Sequence, residues 1–438
     1  MSPSYLLTGG RVVDPASGRD EIADVAISNG LIEDAGSVAH PDAETIDVSG
    51  HIVCPGFVDL HTHLREPGRE DEETIASGSA AAAAGGYTAI CAMPNTDPVA
   101  DTASIVEKVW ALGRETGLVE VVPAGALTKG LLGERMSDIG EMHRCSAGVR
   151  LFTDDGKGVQ DALMVRRLME YIAGFGAVYA EHCEVESLAR GGHMHEGERS
   201  LALGLAGIPA AAEELMVVRD IALARLTGCR LHILHVSTTG AIEAIREAKR
   251  NGLVVTTEAT PHHFTLTDSA LEGYDPRAKV NPPLREEADR LAVIEGLVDG
   301  TIDAIATDHA PHAREEKDQE LTQAPPGLIG LETAFALAMT ELVAPGHLSL
   351  STVIERLSTA PARILGLEAH GGPLEPGRPA NLTVVDPEAE WVVDPDAFRS
   401  LSTNTPFAGR RVTGRVLHTF YYGRATVLNG EVRGTVSV

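Results

Sequence analysis

Two histidines one residue apart, His61 and His63, stand at the end of the apolar run Ile52 to Leu60. On a strand, side chains at i and i+2 share a face, so the pair can grip one metal ion. Arg65 follows on the same side, placed for an anionic group of a substrate. An isolated His-x-His is common, and its weight here comes from what recurs downstream. His182, His235, Asp308 and the pair Asp154-Asp155 each end or follow another strand-like run, as does Asn95 in Met93-Pro94-Asn95-Thr96. Four imidazoles with two carboxylates suit zinc, with iron, cobalt and manganese as alternatives. Six ligands exceed what one tetrahedral zinc with an open position needs. The count therefore predicts two ions sharing a carboxylate, an arrangement that activates water at neutral pH.

Other candidate ligands fit less well. His193 and His195 form a second His-x-His, but glycines surround it and no strand precedes it, so it reads as a loop. His232 precedes His235 by three residues, which on a strand puts the two on opposite faces; His232 is expected to pack outside. His262 and His263 follow Pro261 near the same rim and are left out of the metal set. Neither Lys129 nor Lys157 ends a strand.

The elements that must position these residues alternate. Eight apolar or β-rich runs can be counted: Ile52 to Leu60, Tyr87 to Met93, Val119 to Ala124, Gly148 to Phe152, Ala177 to Ala180, Arg230 to Val236, Leu253 to Thr257 and Ile302 to Ala306. Helical patterns separate most of them, as in Thr102 to Thr116, Asp161 to Phe175, Ala211 to Leu226 and Ala241 to Arg250. The last has Ala241, Ile242, Ala244, Ile245 and Ala248 at helical spacing. Two further helical segments, near Glu332 to Val343 and Thr352 to Leu357, follow the eighth run. Strands alternating with helices imply a parallel sheet, and eight of them imply an α/β fold of the closed (β/α)8, TIM-type barrel kind. Such a barrel carries its chemistry at the C-terminal ends of its strands, which is where all six candidate ligands fall.

Both ends of the chain have a different texture. Tyr5 to Thr8, Arg11 to Val13, Ile22 to Ser28, Leu31 to Ala35 and Thr45 to Asp47 are short β-like runs, with Asn29-Gly30 as a hairpin signal. Ala380 to Val385, Trp391 to Val393, Arg411 to Tyr422 and Glu431 to Val438 repeat the texture, with Asn429-Gly430 as another hairpin. Residues 1–53 and 372–438 are therefore expected to form one small β-sandwich domain beside a barrel of residues 54–371.

Composition narrows the partners. The chain has 438 residues, with 43% hydrophobic and 23% charged, ordinary for a globular protein. Its net charge of −27 argues against nucleic acid, which needs a basic face. No run of about 18 apolar residues marks a membrane span. The first ten residues lack the pattern of a signal peptide, so a cytoplasmic protein is expected. Five cysteines without a CxxC pair read as free thiols: Cys54, Cys91 and Cys229 as core residues, Cys183 as structural beside His182, and Cys145.

Taken together, Asp59-Leu60-His61-Thr62-His63-Leu64-Arg65-Glu66-Pro67-Gly68, Met93-Pro94-Asn95-Thr96, Thr153-Asp154-Asp155-Gly156, Ala259-Thr260-Pro261-His262-His263, Asn281-Pro282-Pro283-Leu284-Arg285 and Thr307-Asp308-His309-Ala310-Pro311-His312 resemble the long bacterial (class I) dihydroorotases of the amidohydrolase superfamily. The resemblance covers nearly the whole chain. It implies reversible closure of N-carbamoyl-L-aspartate to L-dihydroorotate with loss of water, a step of pyrimidine synthesis. It also implies two zinc ions, one on His61, His63 and Asp308 and the other on His182 and His235. Asp155 would bridge them, with Asp154 as the alternative, where many relatives use a carboxylated lysine. Asp308 would shuttle the proton. Arg65, Asn95 and His312 would hold the substrate carboxylate, with His63 also facing the substrate. Asn281 and the backbone at Pro326 and Gly327 would read the ring amide. The segment His312 to Gly327 is long enough to be a lid. The resemblance leaves a homodimer and an association with aspartate transcarbamoylase open.

Two rivals share parts of this signature. Hydantoinases, dihydropyrimidinases and allantoinases share the barrel but typically use the lysine bridge, against which Arg65-Glu66-Pro67-Gly68 and Asp154-Asp155-Gly156 argue. An inactive homologue serving as a structural partner of aspartate transcarbamoylase would lack several ligands, and here all six are present.

Overall fold

Gly56 divides the first long apolar run into two strands that join different sheets. The expected single strand Ile52 to Leu60 is in fact Ile52–Pro55 and Phe57–Thr62. A Cβ at Gly56 would lie 2.2 Å from Thr88 Cγ2, so only glycine lets the chain cross this close to its neighbour. The computed structural model describes residues 4–34 and 43–434.

Phe57–Thr62 (β1) begins a series of parallel strands that continues with Tyr87–Ala92 (β2), Glu120–Pro123 (β3), Leu151–Phe152 (β4), Val178–Glu181 (β5), Arg230–Ile233 (β6), Val255–Ala259 (β7) and Ala304–Ile305 (β8). β1 to β3 pair in chain order, as do β4 to β8. Two parallel bridges join these arcs, Gly125 to Phe152 between β3 and β4, and Thr62 to His309 between β8 and β1.

Helices return the chain between strands. Asp161 caps Ala162–Ala173 by accepting from Met164 N at 2.7 Å, and Thr238 caps Thr239–Arg250 by accepting from Ala241 N. Each such cap is worth about 1 kcal/mol. The second helix buries Ala241, Ile242, Ile245 and Ala248, as the helical spacing predicts. These side chains join a large cluster with strand residues such as Tyr87, Ile90 and Val121. Alternate strand residues, among them Val58, Leu60, Ala89, Cys91, Val178, Ala180 and Ala304, form a separate cluster with Ala362, Ile364 and Leu365. All five cysteines are free, and Cys145 alone is not fully buried.

Strands from both chain ends meet in one seven-stranded sheet, where Ile52–Pro55 lies between Arg11–Asp14 and Leu382–Val392. Leu382–Val392 unites two expected runs through a register irregularity between Asp386 and Glu390. Arg424–Leu428 is a strand the sequence reading did not anticipate. A four-stranded sheet of Tyr5–Thr8, Val25–Ser28, Leu31–Glu33 and Glu44–Asp47 shares a core with it, built from Leu7, Ile27, Val53, Val384 and the edge-on pair Tyr5 and Phe420. Both expected hairpins are formed. Asn29 and Gly30 have φ of 52° and 85°, and Asn429 and Gly430 have 52° and 76°, as a two-residue turn requires. Ala35 and residues 435–438, parts of two expected runs, lie outside the described residues. No helix of the described residues is long and apolar enough to cross a membrane.

Candidate metal centre

The end of β1 with the residue after it, and the segments that follow β4, β5, β6 and β8, bring six side chains into one buried cluster. His61 Nε2 lies 3.3 Å from Asp155 Oδ2 and 3.4 Å from Asp308 Oδ1. His63 Nε2 lies 3.5 Å and 3.1 Å from the same two oxygens. The other oxygen, Asp155 Oδ1, faces His182 Nδ1 at 3.6 Å and His235 Nε2 at 3.5 Å. One carboxylate thus addresses two histidine pairs, and both triples of ligand atoms are compact enough for a cation. Asp154 is engaged elsewhere: Oδ1 accepts from Leu127 N and Thr128 N at 2.8 and 2.9 Å, and Oδ2 accepts from the Thr128 hydroxyl.

These residues fit a divalent metal. The nitrogens His182 Nδ1 and His235 Nε2 lie 3.0 Å apart, and both are aimed at the same carboxylate oxygen. His61 Nε2 and Asp155 Oδ1 are buried without a hydrogen-bond partner among the described residues. Without a cation, burial opposes charge on both His61 and Asp155 but their attraction prevails: the imidazole is raised well above its ordinary range and the carboxyl is held well below. A metal would take the place of that proton. Imidazole and carboxylate donors in this proportion suit zinc and its neighbours.

A cavity of about 190 Å³ opens beside the cluster and is lined by His63, Arg65, Asn95, Asn281, His312, Pro326 and Gly327 among others. Arg65 Nε donates to Pro311 O at 3.1 Å and lies 3.1 Å from Glu72 Oε2, so its buried charge is balanced. Asn95 Oδ1 accepts from His63 Nδ1 at 2.9 Å, leaving the amide NH2 unengaged by that contact. Asn281 Nδ2 is 3.4 Å from His182 Nε2, while its Oδ1 is buried without a partner among the described residues. His312 meets Glu72 at 2.9 Å through Nδ1 and donates to Pro326 O at 2.9 Å through Nε2. Glu72, His312 and Glu316 also form a compact acid–histidine group, but Arg65 and Arg69 already supply its positive charge.

In the segment 312–327, two buried lysines hold the backbone. Lys279 Nζ donates to the carbonyls of Leu321 and Ala324 at 2.8 and 2.7 Å, and Lys317 Nζ to those of Pro325 and Gly327 at 2.8 and 2.9 Å.

The chain is similar to known proteins over nearly its whole length. A family model described as Dihydro-orotase-like matches residues 50–241. A protein named dihydroorotase from Streptomyces coelicolor is 49% identical over 413 residues, covering 94% of this chain and 96% of its own. Another from Pelotomaculum thermopropionicum is 50% identical over 429 residues, covering 98% and 99%. The chain belongs to the dihydroorotase family. Among solved structures, an L-hydantoinase (dihydropyrimidinase) from Arthrobacter aurescens superposes with a TM-score of 0.86 at 28% identity, covering 99% of this chain and 98% of that one. A dihydropyrimidinase from Brevibacillus agri gives 0.83 at 23% identity, covering 98% and 96%, a likeness of fold.

Several residues of this dihydroorotase-family site escaped the sequence reading. Glu258, at the end of β7, is completely buried; Oε1 accepts from His61 Nδ1 at 2.9 Å and Oε2 from His232 Nε2 at 3.1 Å. His232 is therefore not outside, as expected, but stands behind the cluster. β6 ends at Ile233 and His235 has a φ of 30°, so the strand count of faces does not carry from one histidine to the other. The available signal was an acid directly after a strand-like run, since such a group must find a partner once it is buried. Asp59 was quoted only as part of a motif. Its carboxylate accepts from His61 N, Thr307 N and the Thr307 hydroxyl at 3.1, 3.0 and 2.6 Å, tying β1 to the segment after β8. The expected loop around His193 and His195 contains a two-residue strand, Met194–His195, paired with Gly207–Ile208; these histidines face Lys279 and Arg285 and stay out of the cluster.

Proposed function

We propose that this site interconverts N-carbamoyl-L-aspartate and L-dihydroorotate with two zinc ions. The chain is a cyclic amidohydrolase of pyrimidine biosynthesis, as its family membership implies. His61, His63 and Asp308 would hold one zinc and His182 and His235 the other, with Asp155 placed between the two groups. The observation that carries this reading is the division of Asp155, with Oδ2 toward His61 and His63 and Oδ1 toward His182 and His235.

Zinc bound there supplies Lewis acidity for the amide oxygen and a nucleophile from water at neutral pH. The chain's own residues do the rest. Arg65 offers a planar cation to the substrate carboxylate, assisted by the Asn95 amide and His312. Asn281 Oδ1 and the Pro326–Gly327 backbone meet the ring amide, and His63 borders the substrate. In ring opening, Asp308 accepts the proton of the attacking water and passes it to the departing nitrogen. Ring closure reverses these transfers. The segment 312–327 forms the lid.

The fold that goes with this reading is a (β/α)8 barrel beside a β-sandwich of both chain ends, with the expected boundary after residue 53 moved past Pro55, because Ile52–Pro55 lies whole in the seven-stranded sheet, and the second boundary kept at residues 371 and 372. The parallel order of β1 to β8 and the two bridges between their arcs support it.

The test is direct. Zinc-loaded protein is offered L-dihydroorotate, hydantoin and allantoin, and its metal content is measured. Fastest turnover of dihydroorotate with about two zinc ions per chain is expected; faster opening of hydantoin would overturn the assignment.

A further inference from the structure

The connection between the long strands Leu382–Val392 and Arg411–Tyr421 is remote in sequence from every motif above, yet it reaches the cavity rim. Ser400 Oγ donates to Glu73, whose Oε2 also lies 3.3 Å from His309 Nε2. Ser402 Oγ donates to the Glu72 carbonyl at 2.8 Å. Asn404, 4% exposed, then ties two segments, 310–312 and 327–329, to its own. Its Nδ2 donates to the carbonyls of Ala310 and Gly327 at 3.0 and 3.1 Å, and its Oδ1 accepts from His312 N at 3.2 Å. Its own carbonyl accepts from Ile329 N at 3.0 Å.

Ala310, His312 and Gly327 all line the cavity, whereas Asn404 does not. A planar amide with two donors and an acceptor in fixed directions leaves these segments little freedom to shift against one another. The packing is close enough to transmit a shift: a Cβ on Gly327 would lie 2.8 Å from Ala310 Cβ and 2.9 Å from His312 Nε2.

We propose that Asn404 is a positioning residue for substrate binding, holding His312 and the Gly327 backbone at the spacing that the substrate carboxylate and ring amide require. This rests on the reading of the cavity given above. The C-terminal connection then braces the substrate pocket from behind its lining, and the β-rich end of the chain has a share in substrate affinity.

The test compares full-length, zinc-loaded Asn404→Asp and Asn404→Ala with the wild type. Asn404→Asp keeps the acceptor for His312 N but turns an oxygen toward two carbonyls; Asn404→Ala removes the fork. KM for dihydroorotate should rise about tenfold in both, from buried groups left unpaired, with kcat within about threefold and zinc content unchanged. A folded, zinc-loaded Asn404→Ala with KM within about twofold of wild type, whatever its melting temperature, would overturn the proposal. A measurement on the wild type stands independently of whether the variants fold. Dihydroorotate should slow hydrogen exchange in residues 398–407 together with 310–327, and protection of the second stretch alone would overturn it. A wild type that opens no dihydroorotate ring fails the functional reading instead, so the two failures are distinct.

Discussion

Replacing Glu258 by glutamine removes the charge from a bridge between two histidines, one of them a proposed zinc ligand. The carboxylate accepts from His61 Nδ1 at 2.9 Å and from His232 Nε2 at 3.1 Å. Donation from Nδ1 fixes the tautomer that presents His61 Nε2 to the cluster. Burial pushes the Glu258 carboxyl up, but His232 and His61 together bring it down to about 2 from its ordinary 4.5. A depression of that size corresponds to about 3 kcal/mol of stability in the metal-free protein at neutral pH. Because the folded value lies below the unfolded one, this contribution is complete above about pH 4.5 and fades as the pH falls toward 2. Glutamine can still fit: its oxygen can face His61 while His232 shifts its proton to Nδ1, which meets Thr256 Oγ1 at 2.8 Å. Glu258→Gln should therefore fold, be less stable than wild type at pH 7 by up to about 3 kcal/mol when metal-free, and bind zinc roughly 10- to 100-fold more weakly. Urea unfolding of the metal-free proteins between about pH 7 and pH 3 and zinc competition against a chelator read both effects. A zinc affinity within about threefold of wild type, or a stability gap that persists unchanged below pH 4.5, would refute the orienting role.

Asp155→Asn keeps the shape of the proposed bridge but not its charge; bound zinc should fall from about two ions per chain to one or fewer, measured by elemental analysis after dialysis. Asp308→Ala should lower turnover by at least about a thousandfold with the circular dichroism spectrum unchanged, and near-normal turnover would exclude it as the proton carrier. Arg65→Lys should raise KM about tenfold with a smaller effect on kcat, because a point charge cannot reproduce the planar fork. An unchanged KM would show that Arg65 does not grip the carboxylate.

The six clustered side chains were legible because parallel topology sends every strand's C-terminal end to one rim, and each of these residues ends or follows a strand-like run. Asp155 over Asp154 was less legible: the two are adjacent, and only the fold shows that Leu127 and Thr128 occupy Asp154. Glu258 fell one residue beyond the expected end of its strand, and its partners His61 and His232 are 197 and 26 residues away. Asn404 is 92 residues from His312, and no local pattern ties it to the motif it supports. Motifs disclose side chains that face the reaction, whereas the groups holding those side chains are fixed by distant pairings.

Backbone conformation shows the same division. Eight non-glycine residues among those described have positive φ, and three of them are Arg65, His235 and Asp308, at 60°, 30° and 48°. Each costs about 1–3 kcal/mol and persists only where the surroundings enforce it. Here the enforcement is visible. Asp59 accepts from the backbone at His61 and Thr307, and His63 N donates to His309 O at 2.8 Å, so Arg65 and Asp308 both leave a seam that is already bonded. Burial pushes the Asp59 carboxyl up to about 7 against the pull of those same bonds. A regular strand alternates its side chains between faces, which separates neighbouring ligands. A left-handed residue just past the strand breaks that alternation, and at His235 it lets a histidine three positions beyond His232 join the same interior. At His235 the local strain is therefore the means by which the segment after β6 brings a proposed ligand to the cluster where strand alternation counted from His232 would not.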